Sequence, residues 1–82
     1  MPASAEVLEA MASEGPPRGS IWRHFKGHRY MVLDRGIIEK TLEPAVIYKS
    51  LEDGVVWVRP MGEWEETIER DGQKHQRFIW EE

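Results

Sequence analysis

From Ile21 onward, apolar and polar residues alternate along much of the chain, and Gly, Asp and Pro interrupt the alternation at short intervals. A period of two is the mark of β-strands that bury one face. I-W-R-H-F runs into a turn at Lys26-Gly27, and R-Y-M-V-L follows, rich in β-branched and aromatic residues. Asp34-Arg35-Gly36 reads as a second turn, and I-I-E-K-T-L-E-P as an irregular or short-strand connection ending at Pro44. A-V-I-Y-K-S-L and V-V-W-V-R-P flank Asp53-Gly54, while W-E-E-T-I-E and Q-R-F-I-W flank Asp71-Gly72. The pattern predicts an all-β domain over residues 19–82, a small antiparallel barrel or roll of about five strands. Parallel strands need crossover helices, and nothing after residue 20 reads as one.

Residues 1–18 have a different pattern. In A-S-A-E-V-L-E-A-M-A-S-E, Val7, Leu8 and Met11 share one helical face, Ser4 can cap the start, and Gly15-Pro16-Pro17 is a stop. So short a helix is marginal unless its apolar stripe docks, so two outcomes stay open: a docked helix or a disordered tail.

The Asp53-Gly54 hairpin sorts the middle strands into faces. Asp-Gly favours a two-residue type I′ turn, in which both central residues take positive φ. Leu51 then opposes Val56, Lys49 opposes Val58, Ser50 opposes Trp57 and Tyr48 opposes Arg59. Alternation gives one face to Ile47, Leu51, Val56 and Val58, an expected aliphatic core face flawed by Lys49. The other face carries Val46, Tyr48, Trp57 and Arg59, where a guanidinium can lie on a ring. Pro60 ends the ladder by removing a donor.

Composition narrows the function classes. The chain has 82 residues, which allow one small domain, and its four Trp, two Tyr and two Phe supply the bulky core so small a domain needs. It has no cysteine, which excludes a disulfide framework and Cys-based zinc sites and fits a reducing, cytoplasmic setting. Net charge is −4, against the basic excess that phosphate-neutralising nucleic-acid binders carry. No apolar run approaches the ~20 residues of a membrane span, and the start of the chain does not read as a secretory signal.

H-F-K-G-H-R-Y-M-V-L, T-L-E-P-A-V-I-Y-K-S-L, W-V-R-P and the closing Arg77-Phe78 carry a resemblance. In order and spacing over about residues 21–80 they resemble the bacterial domain-of-unknown-function family 1653. The resemblance implies a compact SH3-like β-roll of mostly stand-alone proteins with no assigned activity. The chain departs from the family at Ile38-Glu39-Lys40-Thr41, where relatives carry His-Ser-Glu-Thr; the His is replaced by Ile and the Glu by Lys.

Candidate chemistry is sparse. His24 and His28 have a metal-ligand spacing, but Phe25-Lys26-Gly27 reads as a turn and His75 lies in another hairpin, so no metal site is expected. No nucleophile elbow or phosphate-binding loop is present and no cofactor is expected, which makes a small enzyme the third choice. The strongest candidate surface is Arg23, His24, Lys26, Tyr30, Tyr48, Trp57, Arg59 and Arg77, with Trp64 beside it. These residues come from five stretches and meet only if the roll closes. Two readings compete for them. In one the rings are core and the arginines pair with surface acids; in the other they form a binding surface. The binding reading predicts first a non-catalytic module for a protein or peptide partner, and second a single-stranded nucleic-acid or nucleotide binder. An edge strand left open would allow a dimer rather than a monomer.

Overall fold

Short loops join successive β segments here, so neighbours in sequence become neighbours in the sheet. The computed structural model describes residues 6, 7, 10 and 13–81. Among these the elements are β1 (Ile21–His24), β2 (Arg29–Ile38), β3 (Glu43–Ser50), β4 (Val56–Pro60), α1 (Met61–Trp64), β5 (Thr67–Arg70), β6 (Gln73–Gln76) and β7 (Phe78–Glu81). A five-stranded sheet runs β4-β3-β2-β1-β7, and β5-β6 forms a separate hairpin. All pairings are antiparallel. The mostly β, antiparallel character is as expected, but the sheet is not a closed barrel. β7 returns to β1 rather than to β4, so β4 and β7 are edges. Half of the expected helix or tail over residues 1–18 lies outside the described residues.

Several local expectations are corrected. Asp34-Arg35-Gly36 is not a turn: β2 continues through it, paired with β3, after a bulge between Val32 and Asp34. The Asp34 carboxylate accepts the Arg35 N–H and the Arg18 Nε–H, each at 2.8 Å, which satisfies the polar side chain within the strand. The connection to Pro44 is the end of β2 and a short loop, with Leu42 at φ +59°. Trp64 belongs to a helical turn after Pro60 rather than to a strand, and Q-R-F-I-W divides at Arg77 into β6 and β7.

The two Asp-Gly pairs behave differently. Asp71 and Gly72 both take positive φ, at 54° and 74°, and close the expected two-residue turn. At the other pair only Gly54 is positive, at 74°, and the loop spans four residues. Side-chain hydrogen bonds account for this. Ser50 Oγ accepts the N–H groups of Glu52 and Asp53, and Asp53 Oδ1 accepts that of Val55 at 3.0 Å. The observed partners are therefore Tyr48↔Trp57, Val46↔Arg59 and Lys49↔Val56. That is a slip of two residues from the expected register, and an even slip preserves which side chains share a face.

The inside and outside of the hairpin are nevertheless exchanged. Val46, Tyr48 and Ser50 are buried, whereas Leu51, Val56 and Val58 are exposed. Neighbouring strands explain why. The side carrying Val56 and Val58 also carries Lys49, Asp34, Arg29, Arg23 and Glu81, so burying it would strand charges. The opposite side gathers Trp22, Tyr30, Val32, Tyr48 and Phe78. α1 closes this core because Met61 and Trp64, three apart, fall on one helical face and are both buried. The core is thus largely aromatic, as the composition implied.

Candidate binding site

Phe78 is the hub around which the sequence-predicted residues gather. His24, Tyr48 and Tyr30 present ring contacts to it at 5.1, 5.5 and 5.9 Å, all near edge-on. The Arg59 guanidinium lies 6.0 Å over the same ring. Arg59 Nε donates to the Tyr48 hydroxyl at 3.2 Å, and its Nη1 sits 3.5 Å from the Glu63 carboxylate. Arg77 donates from Nε to the Glu63 carbonyl at 3.1 Å and faces Glu66 at 3.5 Å. The cross-strand Glu66–Arg77 partnership follows from the tight Asp71-Gly72 turn.

Five of the eight candidates, His24, Tyr30, Tyr48, Arg59 and Arg77, therefore form one cluster. Lys26 borders it: its backbone N–H donates to His24 Nδ1 at 3.2 Å, and its ammonium lies 5.9 Å over Phe25. Trp57 opposes Tyr48 on the same face but stands at the edge of the sheet, half exposed. Arg23 does not join them. It pairs with Arg29 and Ile79 on the other side of the sheet and is exposed. The three histidines diverge: His28 Nδ1 meets Glu52 at 2.8 Å, and His75 stacks on Phe25.

Electrostatics follow from the packing. Burial holds the His24 pKa below its ordinary 6.5, and the positive charges of Arg77, Arg59 and Lys26, then His28, push it the same way. Burial also raises the Tyr30 hydroxyl above 10.0. Tyr48 and Phe78 are each only 4% exposed, so the rings at the centre of the cluster offer no open stacking face.

A second aromatic group joins Trp64, expected beside the candidate surface, to Trp22 and Trp80, which the sequence did not link to it. These three indoles and Phe78, with Glu14, Glu65 and the chain at 15–17, line a cavity of about 460 Å³. The sequence hides it because Trp22 and Trp80 meet only through the β1–β7 pairing, which joins the two ends of the domain. Arg35, outside the lining, holds the chain before it by donating from Nη1 to the carbonyls of Ser13 and Gly15, each at 3.3 Å.

A family profile described as a protein of unknown function, DUF1653, matches residues 20–80. The chain belongs to the DUF1653 family. A crystal structure of a DUF1653 protein from Bordetella bronchiseptica is similar to it, with a TM-score of 0.68 and 26% identity over 82% of this chain and 87% of that one. No curated protein matches. The matched region of this DUF1653 domain runs from Ser20, just ahead of β1, to Trp80 in β7, and so takes in the Phe78 cluster and all three cavity indoles. Glu14 and the chain at 15–17 precede it. Among the described residues no helix is long and apolar enough to cross a membrane.

Proposed function

We propose that this DUF1653 domain is a non-catalytic binding module, an SH3-like roll of the bacterial cytoplasm that accepts an extended segment of a protein partner along β4. The observation that supports it most is the condition of that edge. Val56, Trp57 and Val58 are 53%, 51% and 61% exposed, in consecutive positions of a strand with only one neighbour. The Ser50 N–H donates to the Val55 carbonyl at 2.9 Å, so antiparallel alternation turns the amides of Val56 and Val58 outward. An added strand would bond to them, with one apolar side chain on Trp57 and its neighbours over the valines. Pro60, lacking an N–H, bounds the site, and the Arg59–Tyr48–Glu63 contacts hold its inner end.

Nucleic-acid binding has less support, because Arg59 and Arg77 already face Glu63 and Glu66 and the central rings are buried. The test is amide chemical-shift mapping with an alternating Val-Thr heptapeptide flanked by lysines. Shifts confined to residues 55–60 and abolished by Val58→Pro support the reading; that variant removes an outward donor and leaves the β3 ladder paired. Shifts spread elsewhere, or unaffected by Val58→Pro, overturn it. A rise in mass with concentration in sedimentation runs, lost in the same variant, would identify a second copy as the added strand.

A further inference from the structure

The cavity lies along the β1–β7 side of the sheet, at the opposite edge from β4, and its chemistry is different. Trp22 and Trp80 are register partners whose rings are nearly parallel, at 15° with centroids 5.7 Å apart. Trp64 meets Trp22 at 76° and 5.5 Å and is backed by Phe78, stacked at 3.8 Å. Two aromatic walls therefore stand close to a right angle. The volume of about 460 Å³ falls within the range of small-molecule sites, roughly 300–1,000 Å³. Both ionisable residues on the wall are acids, Glu14 and Glu65. Among the described residues neither is in an ion pair, and no Lys, Arg or His lines the cavity. Trp64 is 3% exposed, and its Nε1–H has no acceptor among the described residues.

We infer that this cavity binds an alkylated ammonium head group. Aromatic faces attract a cation through the ring quadrupole, most strongly for tryptophan. An alkylated ammonium suits these walls better than a primary amine does. It keeps its charge but brings few N–H groups that need acceptors, and its methyl groups pack on the indoles. An anion would be repelled by two carboxylates, and a neutral apolar guest would gain nothing from them.

Indole N–H resonances of the full chain read the site directly, with Trp57 on the other edge as an internal reference. Titration with choline chloride should shift the Trp22, Trp64 and Trp80 signals saturably and leave Trp57 in place. The neutral carbon isostere 3,3-dimethylbutan-1-ol should bind about three- to tenfold more weakly, the difference being the cation–ring attraction. Trp80→Leu and Glu65→Gln alter exposed side chains, so the fold should persist while choline affinity falls about threefold or more in each. A trimethyl-lysine peptide run in parallel identifies the source: tighter binding than choline points to a modified protein tail, equal or weaker binding to a free small molecule. The inference is overturned if the isostere binds as tightly as choline, or if choline causes no more change than sodium chloride.

Discussion

Leu42 holds φ at +59° in the loop between β2 and β3, a left-handed conformation that brings its Cβ close to the following carbonyl oxygen. Strain of roughly 1–2 kcal/mol is expected there, of which the greater unfolded-state freedom of glycine would cancel part. Leu42→Gly should therefore stabilise the domain by about 0.5 kcal/mol, visible as a rise of roughly 2–4 °C in the thermal midpoint. His24 sets the pH behaviour on the acid side. Its folded pKa is depressed, so the unfolded chain binds the proton more readily. The stability this residue contributes is complete above the unfolded pKa of 6.5 and is lost as pH falls below it toward the folded value. Asp34, held below 3.8 by the Arg18 and Arg35 hydrogen bonds, adds a second loss in stronger acid. Urea midpoints should thus decline below about pH 6.5 and again below about pH 4. In His24→Gln the first decline should vanish and the second remain.

Among the elements, the β3–β4 hairpin shows how local bonds choose a register. Ser50 is buried, and its hydroxyl accepts two loop N–H groups. Ser50→Ala should cost about 1 kcal/mol in urea unfolding, with amide-exchange protection lost first at residues 51–55. The sequence made the β character, the antiparallel pairing and the Asp71-Gly72 turn legible, because alternation and turn chemistry are local, but about five strands were expected where seven form in two sheets. Of the eight residues it singled out, the fold places His24, Tyr30, Tyr48, Arg59 and Arg77 in one cluster and Arg23 on the other side of the sheet. What the sequence could not supply was the side of the hairpin that faces inward. Ile47, Val56 and Val58 look like core when that pair is taken alone, yet Arg23, Arg29, Asp34 and Glu81 on three other strands decide the matter. The cavity was out of reach for a related reason, since it needs the contact of β1 with β7.

For the molecule as a whole, the four tryptophans have separate duties. Trp64 is buried against Phe78, Tyr48 and Trp22, so Trp64→Ala should cost about 3–5 kcal/mol, much of the stability of a domain this small. Trp57→Ala, at a half-exposed edge position, should cost under about 1 kcal/mol while removing any edge binding. Chemical denaturation of the two variants side by side checks both values. The bulge in β2 has a wider consequence. Val32 and Asp34 sit across from the adjacent residues Tyr48 and Ile47, so Leu33 is supernumerary in the ladder. Excising Leu33 alone leaves every flanking residue opposite its present partner and forfeits only the extra coil that such an insertion gives a strand.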